Sequence, residues 1–200
     1  MRKQPKQGRS RELVNILLQA TEKAVCLYGL EGVTTPKIAE ISGVSVGSIY
    51  QYFEDKQSML ECLLEQKSHV IGVQLKELLT QHAQADLITL IRLSIQFGFD
   101  TLNKNQFYVE VIRHWHTLPQ NKATDVMLQH FFDLGQQLLL KHQQRLALSN
   151  LNTKLFVIIN STMYTMMRYI GLRPSLMTQH EIENELTLMI SSYLQIKVDI

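Results

Sequence analysis

Residues 34–56 read TTPKIAEISGVSVGSIYQYFEDK, two short helix-forming runs joined at a glycine, and their spacing predicts a helix-turn-helix. Ala39 is small where the two helices must approach most closely. Gly43, four residues on, supplies the left-handed backbone that the turn needs, and Ile49 returns an apolar side chain to the first helix. Thr35 followed by Pro36 predicts an N-cap with proline at the first helical position. Ser45 after Val44 repeats the capping logic for a second helix over 46–53.

The side chains of that second helix favour DNA over a merely compact turn. Val46, Gly47, Ser48, Tyr50, Gln51 and Tyr52 are small, or carry hydroxyl, amide and aromatic groups able to bond phosphates and base edges. No carboxylate intervenes before Glu54. Gly47 costs a helix about 1 kcal/mol relative to alanine, which points to a place where a bulky partner such as a phosphate strand comes close. Ile49 and Phe53 read as core. With Ser45 at the cap, Thr35 and Lys37 at the start of the first helix and Lys56 just beyond the second, these residues form the expected DNA-contacting set.

The segment resembles the DNA-binding signature of the TetR family of bacterial transcriptional regulators. Thr34, Thr35, Ile38, Ala39, Gly43, Val44, Ser45, Gly47, Tyr50, Phe53 and Lys56 carry the match. It is close over about the first 60 residues, whereas the remainder agrees in length and helical character. The resemblance implies that Tyr50 and Lys56 hold phosphates, that residues 45–52 read bases, and that the final two long helices dimerise. Tyr52 departs from the pattern, since histidine is common at its position.

A chain of 200 residues with 45% apolar and 19% charged side chains is ordinary for a globular protein with a sizeable core. Its charge is unevenly placed. Residues 1–11 carry Arg2, Lys3, Lys6, Arg9 and Arg11 and no acid, while 57–200 hold twelve basic and twelve acidic side chains. A basic arm beside a helix-turn-helix is placed to neutralise phosphates, with an affinity that falls as salt rises. Cys26 and Cys62 have no metal-type spacing and read as buried thiols on apolar helix faces. No signal-like h-region and no apolar run of 18 residues occurs, so the expected location is cytoplasmic, without a membrane partner.

The expected architecture is all-α, with about nine helices in two domains. Residues 1–55 make a three-helix DNA-binding head with its basic arm at 1–11, and residues 56–200 a helical ligand-binding and dimerisation domain. The first helix, over 11–28, repeats apolar residues at three- and four-residue steps and stops at Gly29. A fourth begins at Asp55 and Lys56 and runs to about residue 79, roughly 36 Å, long enough to act as a lever on the head, with Gly72 as a weak point. Further helices are expected at 85–103, 105–117, 121–147, 152–171 and 178–196.

Two broad apolar faces close the chain, and two such helices hide both only against a partner copy in a two-fold bundle. The expected dimer contacts are Leu155, Ile159, Met163, Met166, Leu186, Met189 and Tyr193. Aromatic residues concentrate between 97 and 164, and Phe97, Phe107, Val111, Trp115, Phe131, Phe156 and Tyr164 are the candidate lining of an effector pocket. Glu110 and Arg113 offer groups for an ionic part of a ligand, but their spacing of three reads rather as an ordinary surface helix pair.

Neither catalysis nor a metal finds support. His114 and His116 lie about 200° apart around a helix, and His69, His82, His130, His142 and His180 form no i,i+4 pair. Phosphate loops, nucleophile elbows and HExxH are absent, and no cofactor is expected. The sequence therefore points to a homodimeric, sequence-specific regulator, a repressor released from a near-palindromic operator by a small apolar or amphipathic ligand. A ligand-independent architectural DNA binder and a helical enzyme or adaptor are the alternatives.

Overall fold

Turn chemistry sets the helix boundaries. The computed structural model describes residues 8–115, 122–142, 146, 149–172 and 174–196, the side chains of 8, 9 and 122–124 excepted, and every regular element in them is helical. In chain order these are α1 (Gly8–Gly32), α2 (Thr35–Ser42), α3 (Val46–Tyr52), α4 (Lys56–Gln81), α5 (Leu87–Lys104), α6 (Gln106–Arg113), α7 (Lys122–Lys141), α8 (Leu151–Leu172) and α9 (Gln179–Tyr193). The fold is all-α, with the helix-turn-helix over α2 and α3.

Side-chain oxygens close most of the helix starts. Ser45 accepts from the Ser48 amide at 3.2 Å, Asp55 from Ser58 at 2.7 Å, Asp86 from Thr89 at 3.0 Å and Asn105 from Phe107 at 2.9 Å. At α9, Thr178 and Glu181 satisfy each other's backbone amides in a capping box. The cap of α2 is Thr34 rather than the expected Thr35. Thr34 has extended backbone and accepts from Lys37 N, Pro36 falls one position further in, and Thr35 turns into the core. Gly43 has φ +69°, the left-handed conformation expected of the turn. Gly29, at φ +67° and ψ 164°, breaks α1 where the sequence predicts its end, although a short helical piece follows.

The described residues divide into two compact units, one within Met1–Ser68 and Asn105–Val126, the other within His69–Lys104 and Met127–Ile200. In the first, Leu17, Leu18, Ala24 and Val25 of α1 meet Ile38 of α2, Ile49 of α3, Phe53, and Met59, Leu60 and Leu63 of α4. Phe107 and Val111 of α6 complete this core, so a helix far along the chain is built into the head. In the second, α5 buries Leu87, Leu90, Ile91, Ile95 and Phe99 and packs on α8 and α9. Gly98 admits Met166 of α8, and Phe99 meets Tyr169 edge to face, ring centres 5.7 Å apart.

Several expected spans are shortened. α3 ends at Tyr52, because Phe53 takes extended backbone as the C-cap. α6 ends at Arg113, where His114 leaves helical geometry, and residues 116 and 117 lie outside the described ones. α7 ends at Lys141 in a tight turn from His142 N to Leu139 O, and most of 143–147 lies outside the described residues. α9 stops at Tyr193, with Gln195 at φ 53°. Gly72 is no break in α4. A Cβ there would stand 2.8 Å from the Cγ of His130, so the glycine permits a close approach of α7.

Candidate nucleic-acid interface

Helix α3 is held from behind by Ile49 and Phe53, both fully buried, and from its start by the Ser45 cap. With those two positions fixed, the helix turns the rest of its short surface outward. Ser45, Gly47, Tyr50 and Gln51 are exposed, and Val46, Ser48 and Tyr52 half-buried. A Cβ built on Gly47 would meet nothing within 4 Å, so the missing side chain opens a gap toward solvent rather than toward a neighbouring helix. The resulting surface is uncharged and rich in hydroxyl, amide and backbone groups, suited to close approach by a phosphate strand or the edges of bases.

Two lysines flank the helix-turn-helix in sequence, at the start of α2 and of α4, and each has a structural role that spacing alone does not reveal. Lys37 donates from Nζ to the Gly32 carbonyl at 2.8 Å and lies 4.2 Å from the centre of the Tyr28 ring. Lys56 donates from Nζ to the Val33 carbonyl at 2.9 Å. Lys37 therefore caps the last carbonyl of α1 and Lys56 the one just beyond it, a favourable place for positive charge. An ammonium has three protons, so each can hold its carbonyl and still donate to a phosphate. Thr35 is buried and offers its side chain to the core rather than to the exposed face. Residues 1–7 of the expected basic arm lie outside the described residues, and Arg11 is exposed on α1.

The residues expected to line an effector pocket are divided between the two units. Phe107, Val111 and Trp115 belong to the core of the head. Phe97 and Phe131 are half-buried in the second unit, and Phe156 and Tyr164 are 65% and 55% exposed on α8. Glu110 is buried on α6 and accepts from Arg113 at 2.9 Å, with Gln106 also donating to it at 3.3 Å. The pair forms within α6, but Glu110 is buried against the head rather than on the surface as expected. Cys26 is exposed and Cys62 half-buried, so neither is the buried thiol expected. Of the expected dimer contacts, Met189 and Tyr193 are exposed and Ile159 and Met163 half-buried. Leu155, Met166 and Leu186 are buried within the protomer, Leu155 at Gly135 and Met166 at Gly98.

One polar group in the second unit is unusual. Ser94, Thr187 and Ser191 each donate to the carbonyl four residues earlier, the ordinary arrangement for a hydroxyl in a helix. Thr162 of α8 does not. Its Oγ1 is buried without a hydrogen-bond partner among the described residues. Sequence spacing gives no sign of it. No helix among the described residues is long and apolar enough to cross a membrane.

Residues 17–63 match the family model described as bacterial regulatory proteins, tetR family. No curated protein sequence matches the chain. Among solved structures, a TetR-family transcriptional regulator from Streptomyces coelicolor superposes with a TM-score of 0.70 at 16% identity, over 94% of this chain and 98% of the other. The transcriptional regulator FadR from Bacillus subtilis, in complex with stearoyl-CoA, gives 0.68 at 16% identity, over 90% and 98%. RolR in complex with resorcinol gives 0.69 at 15% identity, over 96% and 92%. At such identity these likenesses are of fold.

Proposed function

We infer that this chain, whose residues 17–63 match the tetR family of bacterial regulatory proteins, is a cytoplasmic, homodimeric repressor that reads a near-palindromic operator and is released by a small molecule. The observation that carries the reading is the outer face of α3: an exposed row of Ser45, Gly47, Tyr50 and Gln51 on a helix whose other face is locked into the head core. Val46, Ser48 and Tyr52 supply the flanks of that surface, and Lys37 and Lys56 its phosphate contacts. Thr35 supports the set from the core. Two such heads related by a two-fold axis would enter successive major grooves about 34 Å apart.

The functional division is residues 1–55 for DNA and 56–200 for effector and partner, with the start of α4 and α6 lent to the core of the head. An effector site in the second unit would draw on Phe97, Phe131 and the unpartnered Thr162 hydroxyl, which suits a mostly apolar molecule carrying one hydrogen-bonding group. Two elements lead from that part of the chain to the head. α4 is continuous from Lys56 to Gln81, and α6 places Phe107 and Val111 in the head core. An effector that prefers the conformer unfit for DNA shifts the population toward it. Near-complete release requires discrimination between conformers of several kcal/mol.

Selection of bound sequences from random duplexes tests the reading. Enrichment of two inverted half-sites about one helical turn apart is the expected result. Equal affinity for the selected and random duplexes, at both low and moderate salt, would overturn it in favour of an architectural binder.

A further inference from the structure

His69 and His130 lie 61 residues apart on α4 and α7, and the second unit brings their rings together. His130 Nε2 is 2.8 Å from His69 Nδ1, with ring centres 4.9 Å apart and planes at 75°. Gly72, three positions after His69 on α4, allows this approach, since a Cβ there would stand 2.8 Å from Cγ and 3.1 Å from Cδ2 of His130. His69 is exposed, so the pair is open to ions from solvent.

We propose that His69 and His130 form a two-imidazole site for a divalent transition metal of the zinc, nickel and copper class. The converging nitrogens share one proton in a hydrogen bond, and a metal would instead accept a lone pair from each. Zinc–imidazole bonds of about 2.0–2.1 Å at a tetrahedral angle separate the two nitrogens by about 3.3 Å, so an opening of about half an ångström, within reach of side-chain rotation, turns the pair into a chelate. Imidazole suits these ions, whereas magnesium and calcium require oxygen. No group of three or more histidine, cysteine, aspartate and glutamate side chains arranged for a metal occurs among the described residues, so water completes the shell and the ion exchanges readily. The metal bridges α4 to α7, and α4 is the helix that begins at Lys56.

Titration of the untagged full chain with zinc or nickel chloride against a chromophoric chelator tests this. One ion per chain is expected, and His69→Gln and His130→Gln should each weaken binding by roughly tenfold or more, a loss that even outer-shell partners can bring. Gly72→Ala keeps both ligands but displaces His130, and should also weaken binding. On the unmodified chain, zinc should shift the ring-nitrogen resonances of two histidines, a readout independent of how the variants fold. Unchanged affinity in both glutamine variants, or no binding at millimolar metal, would overturn the assignment.

Discussion

Gly47 separates the demands of folding from those of recognition. The space around its missing Cβ is open, so Gly47→Ala should leave the head intact and raise its stability by up to about 1 kcal/mol, the helix preference of alanine over glycine. If α3 lies against DNA, the same methyl group occupies the gap and weakens binding. A melt and a titration on one duplex measure both, and a variant that binds as tightly as the parent would remove α3 from the interface. Lys56 has two roles. Lys56→Ala loses the bond to the Val33 carbonyl and should cost about 1 kcal/mol of stability. It should also flatten the salt dependence of DNA binding by about one unit of slope. Tyr50 is exposed, so Tyr50→Phe should weaken binding while stability stays within about 0.5 kcal/mol. The contrast between the two variants identifies which side chain also holds the fold.

At the scale of elements, legibility followed sequence distance. Gly43, Ser45, Ile49 and Phe53 act within one turn or one short helix, and their local chemistry determines their positions. α6 shows the limit. Its period is visible in the sequence, but nothing within residues 105–117 says that Phe107 and Val111 pack into a core built from residues 14–63. The aromatic run between 97 and 164 therefore contributes to two units rather than to one. The His69–His130 contact was equally hidden, because histidines on different helices leave no i,i+4 signature. The role of α6 makes Phe107→Ala a test of the head. Removing a fully buried phenylalanine should cost about 3–5 kcal/mol and weaken DNA binding, although the residue lies far in sequence from α3. Its neighbour Tyr108 gives a pH signature. Burial, followed by the Glu22 carboxylate, raises its hydroxyl from 10.0 to about 12, so the folded chain keeps the phenolic proton longer than the unfolded one. That contribution is whole below pH 10.0 and is lost as pH rises through about 12. The drop should stay below about 2.7 kcal/mol because Tyr108 is only half-buried, and denaturant melts of Tyr108→Phe should show a flatter profile across the same window.

For the whole molecule, the unresolved demand is the apolar surface left on α8 and α9. Phe156, Tyr164 and Leu188 are 65%, 55% and 60% exposed, and Val157, Met189 and Tyr193 lie exposed on the same two helices. Singly exposed apolar residues are normal, but so many large ones on the last two helices suit the surface on which the proposed dimer would form. Self-association also fits recognition, because a symmetric operator needs two copies of α3. A stable contact buries roughly 1,600 Å² in total, and exchanging a central apolar side chain for a charge leaves that charge desolvated and unpaired. Leu188→Glu should therefore convert a dimer at micromolar concentration into a monomer by sedimentation, with the helical content kept because Leu188 does not belong to the protomer core. Dimerisation and operator binding are linked, so the variant should lose at least about tenfold in affinity for the full operator, while its affinity for an isolated half-site stays unchanged. A parent chain that sediments as a monomer at micromolar concentration would refute the two-fold arrangement, and with it the expectation of an inverted repeat.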